Sequence, residues 1–190
     1  MLDLFVAMAE SDCEQLRSGW LAQPANAISS TAFALVGAWV LWRSRDAGAR
    51  RAFLVVGGLA MVGTGVGSVA YHGPQPGWAH VVHDGSTLVL VALIAGATTW
   101  HLIGASTRPL ALQAWKAAAP WAVLAAAAYV AGRIGSPFCR PTSIWQPHAA
   151  WHALSALGLG TAARLVSGRA GWRATACPGP RPSCSQPEPS

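Results

Sequence analysis

Charge is what this sequence has least of. Only 11% of its 190 residues are Asp, Glu, Lys or Arg, against about 25% in a soluble domain. Together with 53% hydrophobic residues, that deficit excludes an ordinary water-soluble fold and points to a single membrane-embedded bundle. Carboxylates are scarcest: Asp84 is the only one between Asp46 and Glu188, so one acid is expected in the bundle interior. The first ten residues hold Asp3 and Glu10 but no Lys or Arg, so a cleavable secretion signal is not expected. The net charge of +6 is spread over the loops between apolar runs. It is not gathered into a groove, which argues against nucleic acid as a partner. Lysine is almost absent, Lys116 standing beside twelve arginines. With abundant Ala, Gly, Pro and Trp, this points to a GC-rich bacterial genome, and the expected location of such a multi-pass protein is the bacterial inner membrane.

What the chain does have is five apolar runs, at residues 25–42, 52–71, 81–102, 111–131 and 146–166. Each is close to the roughly 20 residues that cross a bilayer as a helix. The expected fold is therefore all-α, a transmembrane helix bundle of about five spans within residues 25–173. Residues 1–24 carry four of the seven carboxylates and read as an amphipathic or capping segment at the membrane surface. Residues 174–190, with five prolines and no apolar run, read as a disordered tail. In the second run Gly63 and Gly67 form a GxxxG pair, which predicts close helix packing.

Arginine and lysine fall unevenly in the loops, ten on one side against Arg17, Arg133 and Arg140 on the other. The bias predicts an outside amino terminus and a cytoplasmic carboxyl terminus. Trp20, Trp78 and Trp145 then mark the outer interface, and Trp42, Trp100, Trp115 and Trp172 the inner one.

With that topology the polar residues within the spans gather at one depth. His148 and His152 are four apart, so on a helix both imidazoles leave the same face. Two histidines so placed can share one tetrahedral metal ion. His72 ends the second run, with Ser68 one turn deeper on the same face, and Asp84 opens the third. Ionisable groups inside a membrane are costly and mark functional sites. A dication held by His72, His148 and His152 would supply the charge that a buried Asp84 needs. Three neutral ligands leave a position for water, the pattern of catalytic zinc. Alternatives stay open. Asp84 could instead cap the third helix, and Ser68 could bond the carbonyl four residues back. His83 is an alternative ligand or an outer partner, His80 reads as a solvated loop residue, and His101 as interfacial.

At these residues the sequence resembles the alkaline ceramidase family, within the membrane hydrolases that include the adiponectin-type receptors. GVGSVAYHG (residues 65–73), VHDGSTLVL (82–90) and CRPTSIWQPHAAWHALSALG (139–158) carry the likeness. A weaker block, DCEQ…QPANAISSTAF (12–33), extends it over residues 12–160. The resemblance implies zinc on His72, His148 and His152. It also implies that Asp84 orients or deprotonates the bound water and that Ser68 stabilises an oxyanion. It implies a disulfide between Cys13 and Cys139, leaving Cys177 and Cys184 as free thiols. Two departures stand out. The family has seven spans, not five. Its calcium site uses several carboxylates of the amino-terminal segment, and although Asp12 and Glu14 match, Gln23 replaces a glutamate, which counts against calcium. The expected function is a zinc-dependent intramembrane amidohydrolase, acting on ceramide or a similar N-acylated membrane lipid. The competing readings are a receptor or scaffold with structural zinc, and a small b-type haem protein.

Overall fold

The computed structural model describes residues 11–103 and 108–167. The tail, Cys177, Cys184, Trp172 and the side chain of His101 lie outside the described part. Five long helices form: α1 (Pro24–Ser44), α2 (Arg51–His72), α3 (Ala79–Ile103), α4 (Arg108–Ala131) and α5 (Pro147–Ser167). A short 3₁₀ turn, Gly48–Arg50, leads into α2. Each helix coincides within a few residues with one apolar run, and no strand forms among the described residues.

The helix starts follow from local chemistry. Pro24 and Pro147 open α1 and α5, at the position where a missing N–H costs nothing. The free N–H groups of α1 are met from outside the helix. Ala25 and Asn26 each donate to the Glu14 carboxylate, one to each oxygen at 2.8 Å. An anion there also complements the helix dipole.

Among the described residues, four helices are long and apolar enough to cross a membrane: Pro24–Ser44, Gly48–His72, Ala79–Trp100 and Pro109–Ala131. This is the composition of a multi-pass membrane protein. α5 has the length, at 21 residues, but is not among the four. His148, His152, Ser155, Thr161 and Arg164 occupy positions that leucine or valine would take in a lipid-facing helix.

Across the bundle the order is α3, α2, α1, α5, α4, with α3 and α4 meeting only sparsely. α1 is the centre, packed on α2 and α5. The Gly63 and Gly67 pair packs tightly, as its spacing predicts. A Cβ on Gly67 would fall 2.5 Å from the His83 backbone nitrogen, and one on Gly63 3.1 Å from Ser86 Cβ. Phe33, Val40, Leu54, Ala60, Met61, Leu90 and Ala156 form the apolar core. At the far end Arg50 donates from Nη1 to the Val166 carbonyl at 2.6 Å, closing the carboxyl end of α5.

The opposite end is closed by residues 11–23, which form no helix and act as a strap. Cys13 is disulfide-bonded to Cys139, with Cα atoms 5.4 Å apart. Cys13 N donates to the Gly132 carbonyl at 2.8 Å, and Ile134 N to that of Ser11 at 3.1 Å. Further along, Ala22 and Gln23 donate to the carbonyls of Gly73 and His72. One segment thereby ties the ends of α2 and α4 together over the start of α5.

Candidate metal centre

His72 is the last residue of α2, and His148 and His152 occupy the first two turns of α5. The four-residue spacing turns both α5 rings towards His72. Ring centroids lie 5.4 Å apart for His72 and His148, 5.3 Å for His72 and His152, and 4.7 Å for His148 and His152. All three side chains are buried. Two packing features bring α5 this close. A Cβ on Gly132 would fall 2.6 Å from the His148 nitrogen, so α4 can end against the first turn of α5 only with glycine there. Phe33 of α1 meets His152 edge-on at 6.2 Å, backing the ring from the core.

Each imidazole is met at Nδ1 by a different polar group. His72 Nδ1 is 2.6 Å from Gln23 Oε1, to which it can only donate. His152 Nδ1 lies 2.9 Å from Ser29 Oγ and 3.3 Å from Ser30 Oγ. His148 Nδ1 makes no hydrogen bond, but Asp12 Oδ1 stands 3.3 Å away. With Nδ1 of His72 and His152 hydrogen-bonded and that of His148 beside Asp12, the Nε2 atoms are the ones left to bind. Support of the second ring nitrogen is how proteins fix the tautomer of a metal-ligating histidine.

The three residues offer ligating nitrogens that all lie within 4.8 Å of one another, and they form the metal-competent group among the described residues. A tetrahedral ion with metal–nitrogen bonds of 2.0–2.1 Å holds its donors roughly 3.4 Å apart. The donor set fits a divalent cation: three imidazole rings brought together with little exposure to water. Comparison with protein-family models, with curated proteins and with solved structures returns no match. The geometry therefore carries the functional argument.

Of the residues singled out in the sequence, Ser68 joins the three histidines. It is fully buried, 3.5 Å from His152 Nε2 and 2.8 Å from Ser30 Oγ, so its hydroxyl reaches across to α1 and α5. Asp84 does not join them. It lies in the second turn of α3, beyond the free N–H groups of the first, so it does not cap the helix. Its Oδ1 accepts from His83 Nδ1 at 2.8 Å, and its side chain is 47% exposed. His83 stacks on Tyr71 at 5.9 Å, which places the pair beside the end of α2. His80 is half-buried in the first turn of α3 rather than in a loop.

The expectation of one interior acid is corrected. Asp12 and Glu14 are both buried, because the strap folds over the bundle end and carries them inward. Burial raises the Asp12 carboxyl to about 6, against the opposing charge and hydrogen bond of Arg133, while Glu14 adds to the rise. Arg133 donates from Nη1 to Asp12 Oδ1 at 3.0 Å. Asp12 and Gln23 were not foreseen as partners of the histidines. A signal was present for the first: Asp12 adjoins Cys13, and a bond from Cys13 to Cys139 carries it towards the start of α5. Glu14, with both oxygens engaged by the α1 N-terminus, has a structural role instead.

Proposed function

We propose that this chain is a zinc-dependent intramembrane hydrolase that cleaves the amide bond of ceramide or a similar N-acylated lipid, as the alkaline ceramidase resemblance implies. The observation that supports it most is the buried His72, His148 and His152 group with the Ser68 hydroxyl at its edge. Zinc held there would polarise a carbonyl and lower the pKa of bound water towards about 7. Ser68 is the donor proposed to stabilise the oxyanion, a role worth a few kcal/mol. Its contact with Ser30 holds the hydroxyl in place. The resemblance makes Asp84 the acceptor of the water proton, from a position outside the three-histidine group. With Oδ1 engaged by His83, Oδ2 is the oxygen left for that task. The apolar helices are compatible with access from lipid, and the arginine bias of the sequence supports a site towards the outer face of a bacterial inner membrane.

One observation favours a second reading, a receptor or scaffold with a structural metal. Asp84 is half-exposed, paired with His83 and outside the three-histidine group.

Metal analysis of purified protein beside His72→Ala, with turnover of supplied N-acylated lipids beside His152→Ala, tests both. The hydrolase reading expects about one zinc per chain and fatty acid release, each lost in the variant. Metal retained without turnover of any lipid amide would establish the scaffold. A Soret band in place of zinc would establish haem.

A further inference from the structure

The three Nδ1 partners differ in charge. Gln23 and Ser29 are neutral, whereas Asp12 is a carboxylate reached only through the strap. His148 Nδ1 is a buried ring nitrogen with no hydrogen bond, which is costly unless a partner is at hand. Asp12 Oδ1 is at hand, 3.3 Å away and itself buried. Its position is set from three directions: the disulfide at Cys13, the Asp12–Arg133 ion pair, and the backbone bonds to Gly132 and Ile134. Nothing in that arrangement belongs to a membrane span. An extramembrane carboxylate has been brought to the outer side of one ligand ring.

We propose that Asp12 is a positioning residue for the metal centre. It holds His148 as the Nδ1–H tautomer with Nε2 turned to the ion, forming a carboxylate–histidine–metal relay through this ligand alone. The inference rests on the reading of the three histidines as a metal site. A carboxylate behind the ring raises the basicity of the ligating nitrogen and fixes the ring plane, and loss of such a partner lowers metal affinity about 10–100-fold. The neutral partners of His72 and His152 fix the ring without that electrostatic gain. Of the three supports, Asp12 therefore has the largest effect on affinity.

The test is zinc competition against a chromophoric chelator with the full-length protein in detergent, comparing wild type, Asp12→Asn, Asp12→Ala and Arg133→Lys. Asp12→Asn keeps the shape and an acceptor oxygen but removes the charge, so a loss of about tenfold is expected, rising towards 100-fold in Asp12→Ala. Arg133→Lys disturbs the ion pair but keeps a cation beside Asp12, so the carboxylate stays charged next to His148, and affinity should stay within about threefold of wild type. Equal losses in Asp12→Asn and Arg133→Lys would mean that Asp12 serves only the scaffold, and the proposal falls. Cobalt substitution adds a readout of ligand field: the visible bands should shift in Asp12→Asn and not in Arg133→Lys. Should Asp12→Asn not fold, nitrogen-15 spectra of zinc-loaded wild type decide. A proton on His148 Nδ1 supports the relay, and metal on Nδ1 overturns it. Wild type that binds no zinc would instead sink the metal-centre reading itself.

Discussion

The inner and outer helices of this bundle follow different rules. In their most apolar stretches, α1 and α2 bury 33% and 44% of their residues within the protein, whereas α3 and α4 bury 6% each. The inner pair, with α5, provides the three histidines, Ser68 and the backing serines. The outer pair presents Leu88, Val91, Val123 and Val130 outward, all exposed. A binding site needs side chains fixed to within about half an ångström. That precision is available only where helices pack on several sides. A helix covered by lipid is held by depth and apolarity, which tolerate many side chains.

Breaking the inner side should have the largest effect. His152→Ala removes one of the three candidate ligands, and structural zinc sites in small domains bind with about 10–16 kcal/mol. Zinc affinity should fall by a factor of about 100 or more, read by equilibrium competition. Next comes the strap. The Cys13–Cys139 bond spans 126 positions, and Cys139→Ser should cost roughly 4 kcal/mol. That loss should be visible as a lowered thermal midpoint in detergent and earlier proteolysis within residues 11–23.

Two glycines sharpen the contrast on a finer scale. Gly132→Val would drive a side chain into the His148 backbone, with overpacking costs of about 1–3 kcal/mol and weaker zinc binding in the same preparation. Gly96, on outer helix α3, has nothing within 4 Å of the place a Cβ would occupy. Gly96→Ala should be neutral or gain up to about 1 kcal/mol from helix propensity. The smallest change is expected from Leu88→Ala on the same helix, within about 0.5 kcal/mol. A large loss there would show that α3 is covered by protein rather than lipid.

The helices were legible because a 20-residue apolar run has one stable conformation in a membrane, whatever its neighbours. The meeting of Ser68, His72, His148 and His152 was legible too, since depth follows from position along a span and helical spacing fixes the face. Asp84 was expected in the group and lies at that end of the bundle, but outside the group itself. Depth leaves the rotation of α3 open, and in the fold its carboxylate meets the neighbouring His83. α5 read as a span of ordinary apolarity, although its histidines and small residues reduce it. Asp12 and Gln23 were unreadable as partners of the histidines, because an irregular segment carries no periodicity to say where it turns.

By itself, the sequence determined an all-helical, membrane-compatible chain with its candidate ligands at one end, because apolar length and the 3.6-residue period are local properties. Only the tertiary structure decided which polar group stands behind each imidazole and which carboxylate enters the interior. Those outcomes depend on the path of residues 11–23, set by one disulfide and a few long-range backbone bonds. No local preference encodes that path.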